Sequence, residues 1–167
     1  PRFETEYWVE QAIAAIGNQV SGSIGISDSG PRVLDLCSGS GCIGVSVAKA
    51  VPTTHVEFSE IDIEHIPTIQ RNLEENGIHA SRAIIHHTSL FKGIPERFDF
   101  ILANPPYIDT DLNRVDQSVV DFEPYLALFG GKGGLEIIEQ ILTEAAHHLS
   151  VNGQLWLEHE PEQAAEI

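Results

Sequence analysis

The sequence predicts an α/β fold: a doubly wound, mostly parallel sheet with helices on both faces. Short, nearly continuous apolar runs alternate with segments of helical period, and strands buried on both faces and joined by helices call for a parallel sheet. A glycine-rich turn directly follows the first run, and the polar motifs of the chain gather where runs end. Ligands of such sheets bind beyond the carboxyl ends of the strands, so function is to be sought there.

An amphipathic segment opens the chain, and Ser21 to Pro31, with glycines at 22, 25 and 30, reads as a loop. Arg32–Leu36 (RVLDL) is the first strand. Gly41 to Val51 reads as a helix stopped by Pro52, and His55–Glu60 (HVEFSE) as the second strand. Ile63 to Asn76 fits a helix, with Asp62 as N-cap and Gly77 as its stop. Pro67 falls in its first turn, where a missing N–H does little harm. Arg82–His86 and Phe98–Ala103 are the third and fourth strands, the latter ended abruptly by Asn104-Pro105-Pro106-Tyr107. Ile108 to Gly134 is irregular. Leu135 to Leu149 has apolar residues at helical spacing, and Gln154–Glu158 is a fifth strand after the turn residues Asn152 and Gly153.

Composition narrows the function. The 167 residues suit a single domain, and 9 Lys and Arg against 25 Asp and Glu leave a net charge of −16. A surface so negative repels phosphate backbones, which disfavours nucleic acid as the main partner. No apolar run approaches the ~18 residues of a membrane helix, and no basic-then-apolar leader opens the chain. The chain begins at Pro1 and holds no methionine, which reads as a processed or partial sequence. Cys37 and Cys42 cannot form a disulfide framework, so an intracellular, reducing setting is expected.

Asp35-Leu36-Cys37-Ser38-Gly39-Ser40-Gly41 joins the first strand to its helix. Glycines there let the backbone approach a ligand, and the helix N-terminus offers free N–H groups. With Gly44 the segment spells G-x-G-x-x-G, and Glu60 ends the second strand about 20 residues on, where a ribose-binding acid belongs. Asp62 competes for the ribose but is better placed as a cap. This half implies an adenosine-containing cofactor, with NAD, FAD and S-adenosylmethionine all open.

The Asn104-Pro105-Pro106-Tyr107 turn adds discrimination. Consecutive prolines remove two donors, so the backbone presents carbonyls without competing N–H groups. The Asn104 side-chain oxygen and the Pro105 carbonyl can both accept from one substrate NH2 group, with Tyr107 as a planar wall. Two acceptors on an amide or exocyclic amine orient its lone pair at an electrophile and stabilise the charge developing on nitrogen. A sulfonium methyl held by the glycine loop is such an electrophile, whereas a dehydrogenase has no use for this turn.

At this point the sequence closely resembles the HemK/PrmC family of class I methyltransferases, which act on the glutamine of the Gly-Gly-Gln loop in peptide-chain release factors. Pro1-Arg2-Phe3-Glu4-Thr5-Glu6 is similar to the family's PRxET(D)E segment, Val33 to Gly41 to its VLDLGTGSG, and Asn104 to Ile108 to its NPPYI. Phe122-Glu123-Pro124 with Ala127-Leu128-Phe129-Gly130-Gly131 resembles its EP…ALxGG block, and Leu157-Glu158 with Gln163 a later LEIG…Q segment. The resemblance implies a Rossmann-like catalytic domain over 1–167, in which 1–31 form an opening helix and linker and 32–167 the core. It further implies that the family's N-terminal helical domain and final strands are absent. S-adenosylmethionine is the implied cofactor and a release factor the implied partner, without direct nucleic acid, membrane or metal, in a cytoplasm or mitochondrial matrix. Asp35, Gly39 and Gly41 are implied to contact the methionine part of the cofactor and Glu60 its ribose, with Asn104, Pro105 and Tyr107 holding the glutamine amide.

The chain departs from the family at several points. Cys37 replaces the first loop glycine, and Ser89 stands where an acid usually contacts the adenine; both remain candidate cofactor contacts, as does Asn104. Gly133 and His159-Glu160 also differ. The competing readings are an amino-group methyltransferase for nucleic acid, a nicotinamide oxidoreductase, and a degenerate copy with weak cofactor binding. The pairs His86-His87 and His147-His148 do not make metal sites, because adjacent side chains diverge. Gly130–Gly134 is expected to be a mobile flap, Trp8 and Trp156 packing residues, and Glu158, Glu160, Glu162 and Glu166 a solvated face.

Overall fold

The computed structural model describes residues 3–22, 30–109 and 128–167. Five strands, β1 (Arg32–Leu36), β2 (His55–Glu60), β3 (Ala83–His87), β4 (Phe98–Ala103) and β5 (Leu149–Leu157), form one sheet. All pairings are parallel, in the order β3-β2-β1-β4-β5. The doubly wound expectation holds, and β1 lies where the strand order turns. Among the described residues, four helices flank the sheet: α1 (Phe3–Gly22), α2 (Cys42–Ala50), α3 (Ile66–Glu75) and α4 (Glu136–His148).

Strand alternation sorts the core into two layers. Val33, Val56, Phe58, Phe100 and Leu102 pack under the first three helices. Leu34, Leu36, Ile101 and Ala103 face Ile141 and Ala145 of α4 together with Phe91 and Ile94. Phe98 and Phe100, two apart, fall in different layers, and the β4–β5 register shifts between them, with the extra residues on β5. Truncating a ring as buried as Phe58 to alanine costs about 3–5 kcal/mol.

Element boundaries differ from the expectation where side chains compete with backbone. The helix expected from Ile63 begins at Ile66, and Asp62 does not cap it; His65 holds the cap position without a side-chain bond. Asp62 instead accepts from the Glu64 N–H, and its own N–H donates to Glu60 Oε1. These local bonds hold 61–65 out of the helix. Pro67 sits in the first turn as expected. Asn152 and Gly153, expected as a turn before the last strand, lie within β5, with Asn152 at φ +67°. Ser21 and Gly22, expected in a loop, close α1 instead, and the rest of that expected loop up to residue 29 lies outside the described residues. Arg82 opens no strand but closes α2: its Nη2 donates to Ala48 O at 2.7 Å and its Nε to Thr54 O at 3.0 Å. The Phe122–Pro124 part of the EP block lies outside the described residues, as does most of the segment expected to be irregular.

Candidate active site

The turn after β1 is built by its own backbone. Ser38 N donates to Ser59 O at 3.1 Å, and Gly41 N to Ser38 O at 2.7 Å. Cys37, Gly39 and Gly41 all have positive φ, at 59°, 53° and 74°. Only at Cys37 is that left-handed geometry carried by a side chain, where the family-like pattern has glycine. Gly44 is required for closeness rather than for φ: an added Cβ would meet Phe58 Cε1 at 2.4 Å. The first turn of α2 therefore rests directly on the ring.

Two acids hold this turn. Glu60 Oε2 accepts from Gly39 N at 2.6 Å while Oε1 accepts from Asp62 N at 2.8 Å. Glu60 thus fastens the end of β2 to the glycine loop, a short charge-assisted contact. Asp35 is fully buried and its Oδ2 accepts from Gly44 N at 2.8 Å. Its Oδ1 has no hydrogen-bond partner. Burial pushes the Asp35 carboxyl up to about 8, the Gly44 N–H pulls it back in part, and the Glu60 charge raises it further. The Cys37 thiol is pushed up to about 12, chiefly by burial and then by the charges of Glu60 and Asp35.

Across the switch between β1 and β4, the Asn104 turn faces the glycine loop over a cavity of about 550 Å³, within the range of small-molecule sites. Gly39, Cys37, Glu60 and Ser89 line its cofactor-like half. Asn104, Pro105 and Tyr107 line the other. Asp35 and Gly41, expected as ligand contacts, fall behind this wall rather than on it; they shape the turn from beneath.

Sequence reasoning missed what holds the Asn104 side. Glu158, expected on a solvated face, is only 8% exposed. Its Oε2 accepts from Thr5 Oγ1 and Trp8 Nε1, both at 2.7 Å, and its Oε1 from the Tyr107 hydroxyl at 2.9 Å. Asn104 Nδ2 donates to Thr5 Oγ1 at 3.3 Å. Trp8, expected merely to pack, is therefore a donor. A sequence signal existed: Glu158 ends the expected fifth strand, and site residues gather at the carboxyl ends of strands; the pairing of Ala103 with Leu157 brings it beside Asn104.

Gly130–Gly134, expected as a mobile flap, is tied down. Gln163 Nε2 donates to both Tyr107 O and Gly133 O at 2.9 Å, and Gly130 N to Ile108 O at 3.0 Å. A Cβ on Gly134 would meet Tyr107 O at 1.9 Å, so this loop is packed against the Asn104 turn. Among the described residues no group of three or more His, Cys, Asp or Glu is placed to hold a metal ion, and no helix is long and apolar enough to cross a membrane.

A glycine turn after β1, an acid ending β2 and an Asn-Pro-Pro-Tyr turn after β4, all meeting at one cleft of a parallel sheet, define a Rossmann-like domain of the class I methyltransferase kind. More particularly, the methyltransferase small domain family matches over residues 26–121, and the chain belongs to that family. It is 35% identical over 164 residues to the release factor glutamine methyltransferase of Rhodopirellula baltica, covering 96% of this chain and 53% of that protein. It is 34% identical over 127 residues to the ribosomal protein uL3 glutamine methyltransferase of Neisseria meningitidis, covering 76% of this chain and 42% of that protein. The chain spans about half the length of the curated relatives it matches. Among solved structures, the ribosomal protein L11 methylase of Lactobacillus delbrueckii subsp. bulgaricus aligns with TM-score 0.66 at 18% identity, covering 99% of this chain and 65% of that one. That likeness speaks for the fold.

Proposed function

We propose that this chain transfers a methyl group from S-adenosylmethionine to the side-chain nitrogen of a protein glutamine, in the Gly-Gly-Gln loop of a peptide-chain release factor. The observation that carries the reading is the single cleft shared by the glycine loop with Glu60 on one side and Asn104-Pro105-Pro106-Tyr107 on the other. The similarity to release factor glutamine methyltransferases over nearly all of this chain supports the substrate, and similarity to the uL3 enzymes supports protein glutamine as its wider class. The net charge of −16 favours a protein substrate over nucleic acid.

The residues present fit the cofactor. Glu60, already fixed at the loop, accepts from the ribose hydroxyls. The Cys37–Ser40 turn gives the methionine part close backbone approach, and Ser89 borders the adenine. Asp35 acts from behind by holding Gly44 N and so the turn itself. The cofactor, when bound, supplies an electrophilic methyl carbon on a cationic sulfur. Asn104 Oδ1 and Pro105 O accept from the two hydrogens of the glutamine NH2 group, turning its lone pair toward the glycine loop. Tyr107 holds the amide flat. These fixed dipoles are set for charge that develops on nitrogen only during transfer, so they lower the barrier more than they strengthen binding; the S–C bond breaks as the N–C bond forms, and the surplus nitrogen proton passes to solvent.

Calorimetric titration with S-adenosylmethionine, with NADH alongside, tests the first half, and mass spectrometry of a release factor incubated with chain and cofactor tests the second. Asn104→Ala is expected to lower the transfer rate about 100-fold or more while cofactor affinity stays within about threefold. Binding of NADH alone, or methyl transfer to nucleic acid instead of glutamine, would overturn the reading.

A further inference from the structure

We propose that Thr5 and Glu158 are positioning residues that dictate which end of the Asn104 amide faces the cleft. An asparagine amide carries an acceptor at one end and donors at the other. Only the acceptor end can grip an incoming NH2 group; a reversed amide sets donor against donor. Nothing in the Asn-Pro-Pro-Tyr turn itself makes this choice.

The polarity is imposed by a chain of hydrogen bonds with one consistent direction. Glu158 as a carboxylate can only accept. It takes the Thr5 hydroxyl proton on Oε2 at 2.7 Å, leaving Thr5 Oγ1 only lone pairs to offer. Asn104 must then present its NH2 end, and Nδ2 lies 3.3 Å away. Oδ1 is thereby the end turned from Thr5. Trp8 Nε1 holds the same carboxylate oxygen at 2.7 Å, and Glu158 N donates to Ala103 O at 2.9 Å, so the anchor is fixed at both side chain and backbone. Thr5 is only 3% exposed and borders the same cleft as Asn104. The other carboxylate oxygen takes the Tyr107 hydroxyl at 2.9 Å. One acid thus sets both the amide and the ring of the acceptor site.

This inference rests on the glutamine-transfer reading for its rate measurement, and a second measurement stands apart from it. Thr5→Val keeps the volume and removes the hydroxyl; Thr5→Ser restores it. Each is made in the otherwise unaltered chain and in Asn104→Ala, with Thr5→Ala replacing Thr5→Val should valine prevent folding. Thr5→Val is expected to lower kcat about fivefold to tenfold, the worth of one net hydrogen bond, with cofactor Kd within about twofold and serine restoring the rate. In Asn104→Ala it is expected to have no further effect. An equal loss of rate in both backgrounds, or a loss of cofactor affinity, would overturn the proposal. In the 15N NMR spectrum, the Asn104 side-chain amide pair, assigned by its disappearance in Asn104→Ala, is expected to shift in Thr5→Val but not in Thr5→Ser. An unmoved pair overturns the tether. If the unaltered chain transfers no methyl to glutamine, the proposed function falls, while this spectrum still decides the tether.

Discussion

Raising the pH from about 5 to about 8 should cost this protein stability through one side chain, Asp35. Its carboxyl lies beneath the glycine turn, fully buried, with one oxygen on Gly44 N and the other without a partner. Burial is the main reason it holds its proton up to about 8, against an ordinary 3.8, with Gly44 opposing and Glu60 adding to the shift. The folded state therefore binds this proton more tightly than the unfolded chain. The stability it contributes is fully present below pH 3.8 and is lost as pH rises through about 8. The slope is at most about 1.4 kcal/mol per pH unit, so the loss between pH 5 and 8 has a ceiling of about 4 kcal/mol. Urea unfolding of the unaltered protein and of Asp35→Asn at several pH values isolates the effect, because the other titrating groups cancel in the difference. The stability of the unaltered protein relative to the asparagine variant should fall steadily across that window. A difference that stays flat from pH 5 to 8 would refute the argument.

Three further outcomes follow from packing. Gly44→Ala should destabilise by about 1–2 kcal/mol in urea, since overpacking against Phe58 Cε1 at 2.4 Å exceeds the gain in helix propensity. Gly17→Ala in α1, where a Cβ meets nothing within 4 Å, should stabilise by about 0.5–1 kcal/mol; the same sign for both would contradict the geometry. The Cys37 thiol, pushed up from 9.0 to about 12 although it borders the cleft, should be alkylated at pH 8 at least about tenfold more slowly in the folded protein than in urea. Peptide mass spectrometry reads this directly, and comparable rates in the two states would refute the burial argument.

The sheet was legible because each strand is a short apolar run whose neighbours are helical in period, and Arg32–Leu36, His55–Glu60 and Phe98–Ala103 coincide with their predicted bounds. What blurred the rest was local competition. Asp62 looked like a helix cap, yet its backbone N–H is claimed by Glu60 and its carboxylate by Glu64 N. Asn152 and Gly153 looked like a turn, yet a strand absorbs them through one positive φ. In the site, spacing alone placed Glu60 and the Asn104 turn, because both end strands that neighbour β1. Thr5 and Glu158 were not legible as partners: 153 residues separate them, and a glutamate in an acidic run reads as solvated until packing removes the solvent. Asp35 was singled out from the glycine-turn pattern, but its bond to Gly44 N, nine residues on, is a product of folding that the pattern does not display.

The order β3-β2-β1-β4-β5 splits the labour of the cleft between two edges. One edge, through Glu60 and the turn after β1, would govern what donates. The other, through the turn after β4 and the acid after β5, would govern what receives. On the proposed function, substitutions on the receiving edge would retarget such a scaffold to a new nitrogen while leaving its donor untouched.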